Sequence, residues 1–424
     1  MSLELITIIV LLIMFVIGSA LPINIGIMGF VAAFVVGSLI SGMKVDDIFQ
    51  AFPGNLFILL AGVTYLFALV QNNGTIDLIT RWGLRLVKGN LGLIPWVMFI
   101  LSALLASVGT SAIAVVSIIA PIALRLAFQY NIKPLLMGIL VVTGATAGSF
   151  SPLNIFGLIV NNVMESKDLP HSPGLLFVNT FAFCAVVAIL VFIIFGGLRL
   201  LKNSAAAKAA QVEIAATVAD NTLSKKEGFT LYKGVTLAGI VILLVLALGF
   251  DVNMGFAAFM VALALALMAP KKQAEVLGRM PWSVILMVTG IVTYVGVMEK
   301  IGAIDYMTEL IASVNNPMIA ALAASYIGGI VSAFASTTGF LAAIIPLVAP
   351  ILQDPTISSI GVISMISVAS SIVDLSPFST NGALLLANAQ GMNERVFFRQ
   401  LLLVSAVVVA LGPGLAWLVF VLIA

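Results

Sequence analysis

Long apolar runs alternate with short polar segments along most of the chain. Apolar runs of roughly 18 residues or more recur from end to end, the length a helix needs to cross a bilayer. Residues 201–230 are the long exception, because their Ala, Lys and Glu content lacks the hydrophobicity of a membrane span. The pattern predicts an all-α polytopic membrane protein with halves 1–200 and 231–424. The linker between them is predicted to be a surface helix or a flexible tether.

The two halves repeat short motifs in the same order. The matching pairs are 62–77 with 290–305, 22–30 with 251–259, SPLN (151–154) with SPFS (376–379), Pro53 with Pro281, and Pro121 with Pro346. Five matches in one order predict an internal duplication.

Positive charge predicts how the halves are oriented in the membrane. The linker and its edge carry five lysines, which places them in the cytoplasm by the positive-inside rule: Lys202, Lys208, Lys225, Lys226 and Lys233. The remaining basic segments fall on the cytoplasmic side only if each half has five crossing helices plus one segment that enters and leaves on the same side. An odd number of crossings per half makes the repeats inverted, an arrangement typical of transporters.

Two segments have the length and pattern of re-entrant hairpins. Residues 91–124 and 317–353 each contain two short apolar stretches around a polar tip, SVGTSAI in the first and FASTTGF in the second. Each stretch is short for a full crossing of about 20 residues. The alternative is a pair of ordinary helices whose small residues form a packing contact.

The segments after the hairpins are predicted to be broken helices. Residues 356–389 would be about 50 Å long as one helix, against a hydrocarbon core of about 30 Å, and residues 134–165 are similarly long. Each contains a polar Ser-Pro stretch, GSFSPLN or DLSPFSTNG, and proline removes a backbone donor. Unwound backbone at membrane depth must be buried in protein or line a cavity. A functionally silent proline kink is the alternative.

The four polar stretches have the chemistry of a site for an anion and a cation. Helix amino ends favour anions, while freed carbonyls and Asn side chains suit a small hard cation. No Arg or Lys occurs in these stretches, and Asp374 is their only acid. Asp374 is predicted to be a cation ligand or a proton carrier, or alternatively a cap for the next half-helix.

Composition excludes several other classes of function. The chain is 62% hydrophobic and 8% charged, with a net charge of +2, which argues against a nucleic-acid partner. With one histidine, His171, and one cysteine, Cys184, it has no metal-ligand pair, acidic diad or nucleophile elbow, so neither an enzyme nor a bound cofactor is predicted. A channel would share the composition, but paired hairpins and broken helices favour a gated site at the membrane midplane.

Seven strings, all of them in the first half, resemble those of bacterial malonate (dicarboxylate) carriers. They are LPINIGIMGF, FVVGSLISGMK, IFQAFPGNLF, VTYLFALVQNNGTID, GLIPWVMF, QYNIKPLLMG and GSFSPLNIFG. The second half matches that family mainly in architecture. These carriers belong to the ion-transporter superfamily that includes the divalent anion:sodium symporters.

The resemblance implies a secondary active transporter of the bacterial inner membrane. It would move a small C3–C4 dicarboxylate, coupled to sodium or alternatively to protons, by an elevator mechanism with transport and scaffold domains. It also implies a homodimer, with membrane-surface arms at 75–90 and 303–315. A sodium/proton antiporter or an inorganic-anion transporter of the same superfamily is the alternative.

Related symporters carry Ser-Asn-Thr signatures at the hairpin tips, and Ser336-Thr337-Thr338 fits that place with Thr where Asn is expected. Polar chemistry and resemblance together select the candidate substrate ligands: Thr110, Ser111, Ser151, Asn154, Ser336, Thr337, Thr338, Ser379, Thr380 and Asn381. The candidate sodium ligands are Gly109, Ser111, Ser149, Ser336, Thr338, Asp374 and Ser376.

Overall fold

The computed structural model describes nine parts of the chain: residues 2–21, 23–75, 78, 91–202, 230–250, 252–312, 316–334, 337–389 and 393–422. All regular structure within these parts is helical. The linker residues 203–229, most of the predicted arm 75–90 and the candidate ligand Ser336 lie outside the described residues.

The first half contains ten helices among its described residues. They are α1 (Leu3–Ala20), α2 (Ile25–Phe34), α3 (Val45–Gln50), α4 (Gly54–Asn72), α5 (Ile94–Ser107), α6 (Ala112–Gln129), α7 (Pro134–Ser149), α8 (Ile155–Ser166), α9 (Pro173–Ile194) and α10 (Gly197–Lys202). A π-helical turn, Val35–Ile40, extends α2.

The described part of the second half continues with eleven helices. They are α11 (Leu231–Gly249), α12 (Met254–Met268), α13 (Gln273–Arg279), α14 (Trp282–Ile301), α15 (Ala303–Ala312), α16 (Pro317–Phe334), α17 (Thr337–Leu347), α18 (Ala349–Leu352), α19 (Ser359–Ser371), α20 (Thr380–Ala387) and α21 (Glu394–Trp417). A 3₁₀ segment, Ile372–Leu375, leads out of α19.

Length and composition make this a polytopic membrane protein. Six helical segments among the described residues are long and apolar enough to cross a membrane, or seven if the bent pair Met254–Met268 and Pro270–Arg279 counts as one. Further apolar helices are shorter, among them α7 and α17. The predicted hairpin 91–124 corresponds to α5 and α6, and 18-residue α6 is itself one of the six long segments.

Burial separates central helices from peripheral ones. In α7 every residue from Leu135 to Ser149 is buried, and in α19 every residue from Gly361 to Ser371 is buried. By contrast, α9 and α21 expose large apolar side chains, for example Val178 and Leu403. Exposed apolar side chains along whole helices fit contact with lipid, so the central pair lies within protein and the outer pair faces the bilayer.

Both predicted broken helices are interrupted at their Ser-Pro stretches. Residues 150–154 separate α7 from α8, and the 3₁₀ segment with residues 376–379 separates α19 from α20. The chain is held in the same way at both interruptions, because the amide of Asn154 donates to the carbonyl of Ser151 and that of Ser379 to Ser376, each at 2.9 Å. Backbone donors freed by the break therefore find partners inside the protein.

The halves contact each other through glycines at two places. A Cβ on Gly26 of α2 would lie 2.1 Å from the carbonyl oxygen of Leu286, and one on Gly290 of α14 would lie 2.0 Å from the oxygen of Gly26. A Cβ on Gly62 of α4 would lie 2.3 Å from the oxygen of Gly255 in α12. Only glycine permits such backbone contact. In both contacts the helix with the earlier motif of one half (22–30 or 251–259) meets the helix with the later motif of the other half (290–305 or 62–77), so the two contacts are reciprocal.

Candidate functional site

One cavity of about 470 Å³ brings together most of the candidate residues. The helices that begin at its wall include the four that follow a predicted hairpin tip or break: α6, α8, α17 and α20. The candidates that line it are Ser111, Ser149, Asn154, Thr337, Thr338, Asp374, Ser379, Thr380 and Asn381. Free N–H groups and the partial positive charge of helix amino ends therefore converge on one space.

The first hairpin tip is positioned by a glycine and a cap. Gly109 has a φ of +101°, and a Cβ there would lie 2.2 Å from the ring of Phe67, so a side chain is excluded on both counts. Ser111 then caps α6, with its Oγ accepting a hydrogen bond of 3.3 Å from the amide of Ala114. The turn thus directs the amino end of α6 toward the cavity.

The first break is attached to that tip by side-chain hydrogen bonds. The Asn154 amide group donates to the carbonyl oxygens of Ala106 and Thr110, at 2.7 and 2.9 Å. Ser151 Oγ donates to the carbonyl oxygen of Ser107 at 2.6 Å. Ala106 and Ser107 lie in the last turn of α5, where helical partners run out, and Thr110 lies in the tip itself. The donors of both side chains are occupied within the protein.

The second break carries the only charged side chain among the described lining residues. Thr337, at the start of α17, donates from Oγ1 to Oδ1 of Asp374 at 2.9 Å. Thr337 Oγ1 also lies 2.6 Å from Ser332 Oγ. Asp374 lies in the 3₁₀ segment, is partly buried and lines the cavity. The residue that caps α20 is Ser379 and not Asp374, because the Oγ of Ser379 accepts a hydrogen bond of 3.2 Å from the amide of Gly382.

Asn381 adds an unpaired acceptor to the same wall. Its side chain is 3% exposed, and its Oδ1 has no hydrogen-bond partner in the described structure. A buried amide oxygen without a partner costs free energy, about 1–3 kcal/mol, unless a ligand or water supplies one. Asp374 and Asn381 therefore place two acceptors on the wall of one cavity.

Four described candidates do not line the cavity: Gly109, Thr110, Ser151 and Ser376. Ser151 instead binds the hairpin, as described above, and Ser376 Oγ accepts from the amide of Phe378 at 3.3 Å. Thr110 is buried with an unpaired Oγ1. These four residues lie outside the cavity lining, and their role as ligands stays a prediction.

Sequence reasoning missed two polar residues of the cavity wall, Asn24 and Ser283. Asn24 caps α2 by accepting from the amide of Gly26 at 2.9 Å, and it donates to Ser283 Oγ at 2.9 Å. In the other half, Asn253 caps α12 and donates to Asn55 Oδ1 at 3.1 Å. The repeated Asn-x-Gly before each helix was the available signal.

The cavity extends toward the linker end of the bundle. Tyr232, just after the linker, donates to the carbonyl oxygen of Leu265, and the chain then runs through α13 to Ser283 at the start of α14. At the other end of α14, Glu299 forms an ion pair with Lys167, and Lys300 lies 3.8 Å from Asp47 Oδ1. No residue of these two ion pairs lines the cavity.

The chemistry of the cavity is that of a small-anion site without a basic side chain among its described lining residues. Helix amino ends and hydroxyls can bind carboxylate oxygens, while Asp374 and the Asn381 oxygen can bind a cation. A neighbouring cation would offset the repulsion between Asp374 and an anion.

The comparisons with known proteins bear on the first third of the chain. Residues 1–149 match the family model described as "Dicarboxylate carrier protein MatC N-terminus". The matched region ends at Ser149, at the first break, and includes the first hairpin tip. No curated protein matches the chain. The resemblance predicted from the sequence strings is confirmed for these residues.

Proposed function

We propose that this protein is a secondary active transporter that moves a small dicarboxylate of the malonate class, with three or four carbons. The observation that carries the proposal is the convergence of four helix amino ends on one cavity without basic side chains among its described lining residues. The family match over residues 1–149 supports the same substrate class, because its description is that of a dicarboxylate carrier. A carrier family also favours transport over catalysis.

The coupling ion is proposed to be sodium. Asp374 and Asn381 supply a carboxylate and an unpaired oxygen on the cavity wall, and oxygen ligands suit a hard cation. Proton coupling through Asp374 is the second candidate, favoured by a carboxyl group at membrane depth with Thr337 as its partner. A sodium/proton antiporter or an inorganic-anion transporter needs no dicarboxylate, so uptake assays separate these functions.

The proposed mechanism is alternating access by an elevator movement between inverted repeats. The reciprocal glycine contacts of α2 with α14 and of α4 with α12 support the repeats. The extension of the cavity toward the linker end of the bundle supports a site that is open to one side of the membrane at a time. The bacterial inner membrane, the cytoplasmic linker and the homodimer are proposed from charge distribution and resemblance.

Uptake of radiolabelled malonate into proteoliposomes tests the proposal. We expect an inward sodium gradient to drive uptake, and Thr337→Ala and Ser379→Ala to reduce it strongly. The matched controls are Thr180→Ala, a buried threonine of α9, and Ser172→Ala, a helix cap outside the cavity. Both controls should transport normally.

Three outcomes would change the assignment. Uptake that follows pH and ignores sodium would select proton coupling. Absence of malonate uptake by folded, inserted protein would exclude malonate and require other anions to be tried. Equal losses in the cavity variants and their controls would indicate damage to folding and would contradict the site.

A further inference from the structure

A second cavity, of about 520 Å³, lies beside the central one at α20 and α21. Its described lining residues are Leu386, Ala387, Arg395, Phe398 and Arg399, and they include no acid. We call it the arginine cleft. It shares no lining residue with the central cavity.

The two arginines of the cleft do not stabilise the helix that carries them. Arg395 and Arg399 are exposed, four residues apart on α21, and therefore lie on the same face of the helix. Like charges at this spacing repel, and positive charge is unfavourable in the first turns of a helix. No ion pair joins either guanidinium to a described residue. Each guanidinium has the forked set of N–H donors that suits an oxygen anion, and both line the same cleft.

An aromatic pair separates the cleft from the central cavity. Phe378 lines the central cavity and Phe398 lines the cleft, and their rings meet edge to face with centroids 6.0 Å apart. Phe378 is 62% exposed. An anion in the cleft would therefore lie one ring pair away from the helix amino ends of the central cavity.

We propose that the arginine cleft binds an anionic oxygen group, the carboxylate of the transported anion or the phosphate of a lipid headgroup. If the anion is the transported one, the cleft is an entry site from which it passes Phe378. The identification of the bound anion as the transported one rests on the proposed function, whereas the binding of an anion in the cleft does not.

Charge-selective labelling of a cysteine in the cleft tests the proposal without a transport assay. Ala387→Cys places an exposed thiol in the cleft, and native Cys184 is buried and 1% exposed, so it contributes little background. The probes are sulfonatoethyl and trimethylammonioethyl methanethiosulfonate, which are of similar size and opposite charge. We expect Arg395→Gln/Arg399→Gln to reduce the anionic-to-cationic rate ratio at least about tenfold, as removal of local anion concentration predicts. Arg279→Gln, a distant exposed arginine paired with Glu275, is the control and should leave the ratio unchanged.

Protection from labelling identifies the source of the anion. Malonate that slows labelling in phosphatidylcholine nanodiscs would identify the transported dicarboxylate. Phosphatidylglycerol nanodiscs that slow labelling, where malonate does not, would identify the headgroup, and this result could stand even if malonate uptake failed. Arg395→Lys/Arg399→Lys, which keeps the charge and loses the bidentate geometry, should keep the rate ratio and weaken protection.

The proposal is overturned if the rate ratio is the same with and without the two arginines. It is also overturned if neither malonate nor phosphatidylglycerol protects the thiol. Full labelling of each variant in denaturing detergent and a monodisperse elution profile exclude misfolding as the reason for either result.

Discussion

At residue 151 and again at residue 376, a serine followed by proline interrupts a buried helix, and a glycine six residues later lies against that serine's carbonyl oxygen. A Cβ would lie 2.1 Å from this oxygen at Gly157 and 2.0 Å from it at Gly382. The two breaks therefore share the turn that runs from the serine to the glycine six residues later. The side chains differ, and the difference indicates what each break does.

The first break binds its own hairpin, whereas the second leaves acceptors on the cavity wall. Asn154 donates to two carbonyls of the first hairpin, while Ser379 at the corresponding position caps α20. Ser149 donates to the carbonyl oxygen of Ala145 within its own helix, and Asp374 at the corresponding position accepts from Thr337. A shared backbone thus supports a fixed contact in one half and a charged group in the other.

Replacing the charged group of the second break, Asp374, should have the largest effect on transport. Asp374→Asn should lower malonate uptake about 100-fold or more, because loss of an interaction of about 3 kcal/mol with this partly buried charge corresponds to that factor. Ser149→Ala, at the corresponding position, should cost less than about threefold, since it removes a bond within one helix. Initial rates in proteoliposomes measure both. Equal losses would contradict the division of roles.

Removing the shared backbone contact should destabilise both breaks alike. Gly157→Ala and Gly382→Ala each push a methyl group into a carbonyl oxygen, so we expect a loss of roughly 2 kcal/mol or more. Gly278→Ala in α13, where an added Cβ meets nothing within 4 Å, should be neutral or slightly stabilising. Thermal unfolding of purified protein in detergent gives the comparison. If only one of the two breaks proves sensitive, the backbones are not equivalent.

The hairpin contact of the first break should contribute more to stability than the cap of the second. Asn154→Ala leaves the carbonyl of Thr110 without its side-chain donor and removes one of the donors to the carbonyl of Ala106, which keeps the amide of Gly109, at a cost of about 1–3 kcal/mol. Ser379→Ala removes a helix cap, at a cost of about 1 kcal/mol. Unfolding midpoints should follow this order, and the reverse order would contradict the structural role of Asn154.

The smallest difference in stability is expected between Ser151→Ala and Ser376→Ala. Ser151 Oγ bonds across to α5, so Ser151→Ala should cost about 1 kcal/mol. Ser376 Oγ accepts only within its own turn, so Ser376→Ala should cost a few tenths, roughly 0.5 kcal/mol or less. The same unfolding assay resolves them if the midpoints differ by about 2 °C or more.

The breaks could be predicted because their signals are local. Excess helix length, proline and small polar residues all occur within one segment, and the structure interrupts the helix there. The pairing of Thr337 with Asp374 joins residues 37 positions apart, and Asn24 meets Ser283 across 259 positions. Such contacts depend on helix packing, which no local pattern contains. For the same reason Ser151 looked like a ligand, although its hydroxyl is used by a carbonyl of the hairpin.

The glycine contacts of α2 with α14 have a consequence for motion. Backbone atoms that touch backbone atoms have no side chain between them that could change rotamer, so Gly26 and Gly290 have one arrangement only. The helix α17 also packs against α14, through Gly339, whose nearest neighbours there are the side-chain ends of Ile291 and Met287. Methionine is unbranched and adapts to different partners. The contact of α2 with α14 therefore has the properties of a fixed contact, whereas the contact of α17 with α14 has those of a contact that can slide.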